Sequence, residues 1–225
     1  MRRAKPERAL EALVVDAVGF VAGEPVVAAC SGGPDSVALA AVLDRVARAR
    51  GFPLVLAHVN HGVRASAWQD ECVVLSVAAR LERPLVIAAL EGVSADEGSL
   101  REARYAALER IARERGARTI ATAHTAEDQT ETVLLALFRG TGPDGLGGMA
   151  AERALAEGLR LVRPLLRAGH GELRAELARS GLPYALDPSN EDGRYRRSAV
   201  RAALVGLREE FPGLDRAVAR CAEIL

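Results

Sequence analysis

The chain contains an apolar run, Val26-Val27-Ala28-Ala29-Cys30, that leads directly into the polar turn Ser31-Gly32-Gly33-Pro34-Asp35-Ser36. A short run that is wholly apolar is typical of a strand covered on both faces, as in a parallel sheet. A helical pattern then extends from Val37 to about Arg50, and Gly51 closes it. Cys30 ends the strand and is expected to be a buried structural thiol.

The same alternation continues on both sides of this unit. We predict a helix over 7–21, strands over 54–59, 84–89 and 119–123, and helices over 65–81, 100–115 and 124–138. Residues 161–164 look like a short edge element. Alternating strands and helices are typical of a parallel sheet with helices on both faces. The sequence therefore predicts an α/β fold with a five-stranded, doubly wound, Rossmann-like sheet.

The pattern changes after residue 139. Residues 140–148 include five glycines, too many for the interior of a helix or strand. Beyond them we predict helices over 170–180 and 194–210, with a turn at 187–190. We expect a boundary near residue 150, between a nucleotide-binding catalytic domain (1–150) and a smaller, mostly helical C-terminal segment (151–225).

Composition excludes several classes of protein. With 49% hydrophobic and 27% charged residues, the 225-residue chain should be globular and soluble. Lys+Arg 30 balances Asp+Glu 30, which excludes a strong global attraction to nucleic acid or an anionic membrane but not a local patch. Three cysteines without a C-x-x-C pair argue against a zinc ribbon, an iron–sulfur cluster or a disulfide scaffold. Without a signal peptide or membrane span, we expect a cytoplasmic protein.

The turn at 31–36 is the first candidate site, because ligands of open parallel sheets bind beyond the carboxyl ends of the strands. Gly32 and Gly33 let backbone N–H groups approach an anion, and the following helix adds its N-terminal dipole. Ser31 and Ser36 add hydroxyl donors. A carboxylate at an anion site is unfavourable without a cation, so Asp35 is assigned to Mg²⁺. The alternative is an ordinary strand–helix turn with a side-chain cap.

Asp128 and Glu131 form the second candidate site. They lie three residues apart, on one face of the helix after the fourth strand, which starts at the same edge of the sheet. Such a pair could bind Mg²⁺, anchor an ammonium group or accept its proton; a solvated helix face is the alternative. His58 is expected to be structural, and His124 could cap this helix. His170 is far away in sequence, so we expect no histidine metal cluster.

Several motifs in fixed order carry a family resemblance. S-G-G-x-D-S at 31–36 resembles the PP-loop of ATP pyrophosphatases, which split ATP between its α and β phosphates. It is followed by H-V-N-H-G-V-R at 58–64, A-H-x-x-x-D-x-x-E-T at 123–132, R-G-T-G-x-x-G-L at 139–146, R-P-L-L at 163–166 and D-P-S-N at 187–190. The ordered set, from about residue 25 to 208, is similar to that of the tRNA(Ile)-lysidine synthetases. It implies a sheet of the PP-loop ATPase type.

The resemblance implies a two-step reaction with ATP, Mg²⁺ and free L-lysine. The wobble cytidine of tRNA(Ile) with a CAU anticodon attacks the α-phosphate and releases pyrophosphate. The lysine amine then displaces AMP at C2 of the base, which gives lysidine. The implied roles are catalysis by Asp35, Asp128, Glu131 and Arg201; ATP or pyrophosphate binding by Ser31, Gly32, Gly33, Pro34, Asp35, Ser36, His61, Arg139 and Gly140; tRNA binding by Arg64, Arg194, Arg197 and Arg201; and Mg²⁺ binding by Asp35 and Asp128.

Arg197 and Arg201 are four residues apart, so both could face one phosphate-bearing surface; a solvated arginine-rich helix is the alternative. The family commonly has Arg-Asn where this chain has Arg197-Ser198. Members often carry further C-terminal domains, whereas this sequence stops at Leu225, so tRNA contacts could be shared with a second copy in a homodimer. Two other functions stay open: tRNA 2-thiolation, and a non-catalytic nucleotide- or RNA-binding module.

Overall fold

The computed structural model describes residues 6–19, 21–60, 67–90, 92–94, 96–186 and 196–225. Its strands are β1 (Val26–Ala29), β2 (Leu54–Asn60), β3 (Leu85–Ala89), β4 (Thr119–Ala121), β5 (Glu152–Ala156) and β6 (Leu159–Val162). Its helices are α1 (Pro6–Val18), α2 (Pro34–Arg50), α3 (Ala67–Leu81), α4 (Glu97–Glu114), α5 (Ala126–Phe138), α6 (Pro143–Leu146), α7 (His170–Ser180), α8 (Arg196–Glu210) and α9 (Leu214–Ile224).

The strands form one six-stranded sheet in the order β3-β2-β1-β4-β6-β5. All neighbouring pairs are parallel except β5–β6, which is antiparallel. The chain builds the sheet from β1 through β2 to β3 and then returns to place β4 on the other side of β1. The strand order therefore reverses between β1 and β4. The carboxyl ends of these two strands form the crevice where ligands of such sheets bind.

The predicted α/β fold with a parallel sheet is confirmed, but the predicted five strands are wrong because β5 adds a sixth. β5 forms a hairpin with β6 across Gly158, which has φ +69°. Residues 161–164 were expected at an edge, yet β6 lies between β4 and β5. The sheet thus extends across the predicted boundary at residue 150, and the division into two domains stays a prediction. Within the glycine-rich stretch, α6 forms a single helical turn.

Two apolar layers cover the sheet. Alternate residues of β1 point to opposite faces, so Val26 and Ala28 join the layer with α1, α2, α3 and α7, whereas Val27 joins the layer with α4. Leu39 and Leu43 of α2 are fully buried in the first layer. Each such leucine stabilises the fold by roughly 1.5–3 kcal/mol. This burial holds α2, and the turn that precedes it, in a fixed position.

An ion-pair network also fixes α2. The Arg45 guanidinium donates from Nη1 to Glu176 of α7 at 2.6 Å and from Nε to Glu11 of α1 at 2.6 Å. Glu176 is almost fully buried and also accepts from Arg179. Since a buried carboxylate needs such partners, this network ties α2 to both neighbouring helices.

Two expectations about buried side chains are confirmed. Cys30 is buried, and burial raises the pKa of its thiol. His58 is also buried, with Nδ1 2.9 Å from the backbone oxygen of Cys30, and so links β2 to β1. Among the described residues, no helix is both long and apolar enough to span a bilayer.

Candidate active site

The turn after β1 leaves the start of α2 without a side-chain cap. Gly33 is the N-cap residue and Pro34 follows it at the first helical position. The Ser36 hydroxyl instead donates to the Gly33 carbonyl at 2.9 Å and lies 3.1 Å from the Ser31 hydroxyl. An uncapped helix start with free N–H groups and two hydroxyls is an anion-binding arrangement. The alternative of an ordinary capped turn is therefore not supported.

Gly32 explains why this turn needs glycine. Its φ is +92°, and a Cβ atom there would lie 3.2 Å from the backbone oxygen of Asp70 and 3.4 Å from Val74. The Gly32 carbonyl accepts a hydrogen bond from the N–H of Ala185 at 2.9 Å. The turn is thus held between α3 and the segment that follows α7, which positions its backbone before any ligand binds.

Asp128 lies in the first turn of α5, next to the turn after β1. Thr125 and Asp128 form a capping box, in which the Thr125 N–H donates to Asp128 Oδ2 at 3.0 Å. Burial raises the pKa of Asp128; Arg197 opposes the rise, and the charges of Glu131 and Asp35 add to it. The structure therefore brings the two predicted metal-binding carboxylates close enough to repel each other.

Glu131 is almost fully buried and is bound by two arginines from α8. Arg197 Nε donates to Oε2 at 2.8 Å, and Arg201 Nε donates to Oε1 at 2.8 Å. Arg197 also reaches Asp128 Oδ1 at 3.2 Å. Burial acts to raise the pKa of Glu131, but the hydrogen bonds from Arg201 and Arg197 outweigh it and the net pKa is lowered. Glu131 is thus an ionised carboxylate that joins α5 to α8 rather than part of a solvated helix face.

His170 is far from the other site residues in sequence, but the structure places it beside Asp35. Its Nε2 lies 3.5 Å from Asp35 Oδ2 and 3.4 Å from the Thr125 hydroxyl. Its backbone N–H donates to Glu127 Oε1 at 2.8 Å. The hydrogen bond to Asp35 raises the pKa of His170 against the effect of burial, and the charge of Glu127 adds to the rise. One feature could have indicated this position of His170. The residue begins α7, which follows β6, and the carboxyl end of β6 lies at the same edge of the sheet.

A second group of residues that sequence reasoning missed consists of four arginines around Tyr105, here called the arginine cluster: Arg101, Arg104, Arg153 and Arg163. The guanidinium carbons of the first three lie 5.6, 5.4 and 4.9 Å from the Tyr105 ring centre. Arg163 follows β6 and is buried, and Arg153 lies in β5. Arg101 and Arg104 lie on a predicted helix and Arg163 belongs to the R-P-L-L motif, but their grouping with Arg153 was not predicted because β5 was not.

His124 lies between the arginine cluster and the acidic group. Its Nδ1 is 3.0 Å from the Thr122 hydroxyl, and Thr125, not His124, is the N-cap of α5, so the expected capping role is wrong. Burial lowers the pKa of His124 to about 3, and the charges of Arg163 and Arg104 contribute. This histidine is therefore a neutral hydrogen-bonding group near pH 7.

The remaining predicted residues are not all brought to this edge. Arg139 and Gly140 follow the last residue of α5, about 16 Å along the helix axis from Asp128, and their role stays a prediction. His61, Arg64 and Arg194 lie outside the described residues. In the described part of the chain, no three His, Cys, Asp or Glu side chains are grouped to hold a metal. Asp35 and Asp128 form a pair, which suits Mg²⁺ because it commonly takes one or two carboxylates together with phosphate oxygens and water.

A family model described as a PP-loop domain matches residues 3–207. The chain belongs to the PP-loop family. It is 40% identical over 220 residues to the tRNA(Ile)-lysidine synthase of Ralstonia nicotianae, covering 93% of this chain and 47% of that protein. It is 42% identical to those of Salinispora tropica and Thermus thermophilus, covering 86% and 89% of this chain and 57% and 39% of those proteins. The resemblance to lysidine synthetases is confirmed, and the chain spans about half the length of these relatives.

Solved structures support the same fold. The U34-tRNA thiolase NcsA from Methanococcus maripaludis matches with a TM-score of 0.82 at 17% identity, over 97% of this chain and 78% of that one. The NMN synthetase from Francisella tularensis matches with a TM-score of 0.57 at 12% identity, over 99% of this chain and 98% of that one. At these identities the likeness concerns the fold alone.

Proposed function

We propose that this chain forms lysidine, by ATP-dependent ligation of L-lysine to C2 of the wobble cytidine of tRNA(Ile) with a CAU anticodon. One observation carries the proposal. The uncapped start of α2 and the acidic residues Asp35, Asp128 and Glu131 lie together at the crevice between β1 and β4. The tRNA(Ile)-lysidine synthases at about 40% identity provide independent support. tRNA as the substrate is consistent with a protein of the cytoplasm.

The first step needs pyrophosphate to be held while the cytidine oxygen attacks the α-phosphate. The free N–H groups at the start of α2 and the hydroxyls of Ser31 and Ser36 would bind the leaving pyrophosphate. Asp35 and Asp128 would hold Mg²⁺, which when bound neutralises charge on the phosphates. His170 would hold Asp35 in position through its ring nitrogen.

The second step needs a deprotonated lysine ε-amine as the nucleophile. Lysine carries a positive charge near pH 7, so a carboxylate must first attract the ammonium and then accept a proton from it. In the absence of Mg²⁺ Asp128 has a raised pKa and is the better proton acceptor of the two. Glu131 stays ionised because Arg197 and Arg201 donate hydrogen bonds to it, and it would supply a fixed negative charge. Arg197 and Arg201 position these two carboxylates, and their direct contact with tRNA is a further part of the proposal.

The organisation of the protein follows from the same residues. Residues 1–150 would form the catalytic domain, and 151–225 would supply the arginines that reach back to it. A homodimer, with tRNA contacts from both copies, is also part of the proposal.

The test is incorporation of labelled lysine into a tRNA(Ile) transcript with a CAU anticodon, in the presence of ATP and Mg²⁺. We expect labelling that is lost in Asp35→Asn and Asp128→Asn and kept in Asp144→Asn, an exposed aspartate of α6 that serves as a matched control. A tRNA(Met) transcript should not be labelled. Equal labelling of both transcripts, or full activity of Asp35→Asn, would contradict the proposal.

The alternative of tRNA 2-thiolation is not favoured. The thiolase named above is described with a [4Fe-4S] cluster, whereas this chain has only Cys30, Cys72 and Cys221, with no C-x-x-C pair. Cys30 is buried in the sheet, and the other two are exposed. Three cysteines at these separate positions do not match a cysteine-ligated cluster.

A further inference from the structure

The arginine cluster carries more positive charge than its surroundings balance. Its four side chains come from three parts of the chain: α4, β5 and the residue after β6. Within the described residues none of the four forms an ion pair with an aspartate or glutamate, although most other arginines there do. Four cations gathered around one ring without a counter-charge are unfavourable unless an anion joins them.

Two buried atoms point to the same missing partner. Tyr105 Oη and Arg163 Nε are buried, and apart from the contact between these two side chains neither atom has a hydrogen-bond partner among the described residues. Arg163 as a whole is only 3% exposed, and its Nη1 donates to the Ala150 carbonyl at 2.6 Å. A guanidinium Nε–H can only donate, and a phenol hydroxyl donates readily. Both atoms therefore lack a hydrogen-bond acceptor, which an anion would supply.

The electrostatics of the cluster agree with this reading. Burial lowers the pKa of Arg163; its interaction with Tyr105 opposes this, and repulsion from Arg153 and Arg101 adds to the lowering. Burial would raise the pKa of Tyr105, but the charges of Arg101, Arg104 and Arg163 outweigh it and the net pKa is lowered. The neighbouring arginines thus place Tyr105 in a positive field and repel Arg163, and a bound anion would offset both effects.

We propose that the arginine cluster, with the Tyr105 hydroxyl and Arg163 Nε, is a phosphate-binding subsite separate from the turn after β1. The β6 end lies two strand spacings, roughly 10 Å, from the β1 end, so one phosphate here and a pyrophosphate at the turn can be bound together. Arginine forks bind phosphate oxygens in pairs. The inference rests on the proposed function, because the substrates supply the phosphate. Its source is either the RNA backbone beside the reacting cytidine or the nucleotide.

The test uses the double variant Arg101→Gln/Arg153→Gln. Binding of a fluorescent stem-loop RNA with a CAU loop is measured by anisotropy at several salt concentrations, and binding of labelled ATP by equilibrium dialysis. We expect a roughly tenfold loss of affinity for the ligand whose phosphate is bound. For RNA, the slope of log affinity against log salt should fall by about 0.7 for each phosphate that the variant no longer binds. The matched control is Arg110→Gln/Arg113→Gln, two exposed arginines further along α4.

The outcomes separate the two sources. Weaker RNA binding with unchanged ATP binding assigns the subsite to the RNA backbone, and the reverse assigns it to the nucleotide. No change in either ligand, equal losses in the control variant, or a wild-type chain that binds neither ligand would overturn the proposal. Should the double variant fail to fold, Tyr105→Phe removes only the hydroxyl, which has no partner other than Arg163 among the described residues, and should still weaken binding a few-fold.

Neither binding measurement includes lysine. If the arginine variant weakens RNA binding but no lysine is incorporated into tRNA, the subsite stands and the proposed function fails. If lysine is incorporated and the arginine variant binds both ligands normally, the function stands and the subsite fails.

Discussion

The buried His124 should make the stability of this chain depend on pH between about 5 and 7. Its pKa is about 3 in the folded chain, against 6.5 as the ordinary value. Between these values the unfolded chain binds a proton that the folded chain does not. Stability is therefore lost as pH falls below 6.5, and the loss stops growing near pH 3. The pKa is lowered because burial and the charges of the nearby arginines oppose a positive charge on the ring; these are Arg163, Arg104, Arg197 and Arg101.

The expected size follows from the width of this window. One pKa unit corresponds to about 1.4 kcal/mol, so lowering the pH from 6.5 to about 5 should cost about 2 kcal/mol of unfolding free energy. His124→Gln removes the titration and keeps a group that can bond the Thr122 hydroxyl. Urea unfolding at about pH 7.5 and about pH 5 should therefore show a loss about 2 kcal/mol larger in the wild type than in the variant.

Two results would refute this reasoning. One is an equal loss of stability in both proteins, which would mean that His124 titrates alike in the folded and unfolded chains. The other is a His124 ring signal that titrates near pH 6.5 in an NMR experiment on the folded protein. The ring signal of His170 is the internal comparison in the same spectrum, since its pKa is raised above 6.5.

Three other predictions concern single side chains. Glu131→Gln should lower the unfolding free energy by about 2 kcal/mol in urea, because two partly exposed arginines lose a buried carboxylate; a loss below about 0.5 kcal/mol would contradict this. The unfolding free energy of the Gly148→Ala variant should be lower than that of Gly158→Ala by at least about 1 kcal/mol in thermal unfolding. Both glycines have positive φ, but only at Gly148 would the added Cβ lie 2.8 Å from the Gln129 side chain. Gly32→Ala should lose ATP binding in equilibrium dialysis while Gly51→Ala keeps it, because both glycines have positive φ but only the first has a backbone oxygen 3.2 Å from the added Cβ; equal binding by both would refute the argument.

The sequence predicted the parts of the fold that depend on local pattern. The apolar run of β1, the turn after it and the burial of α2 follow from hydrophobic spacing and from glycine and proline positions. β5 could not be found in this way, because Glu152 and Arg153 interrupt the apolar pattern and its side chains are only partly buried. Its pairing with β6 depends on tertiary structure. Because β5 was not predicted, β6 was predicted to lie at the edge of the sheet.

The same reason explains which site residues were found. Asp35, Asp128 and Glu131 lie in motifs at predicted strand ends, so the edge rule for parallel sheets places them together. His170 and the arginine cluster reach that edge through β5, β6 and the start of α4. Their proximity depends on strand order, which spacing along the chain does not show. Arg197 and Arg201 were identified as a pair, but their carboxylate partners could not be inferred because α8 is distant from α5 in sequence.

The charges along this edge of the sheet are separated in a way that fits two unlike substrates. The ends of β1 and β4 carry Asp35, Asp128 and Glu131, and the arginines that pair with them come from the outer helix α8. The ends of β6 and β5 carry arginines without acidic partners among the described residues. An ammonium group is attracted to the first region and a phosphate to the second, with the neutral His124 between them. A proton placed on that histidine would extend the positive field toward the carboxylates, so its pKa of about 3 keeps the two regions distinct near pH 7.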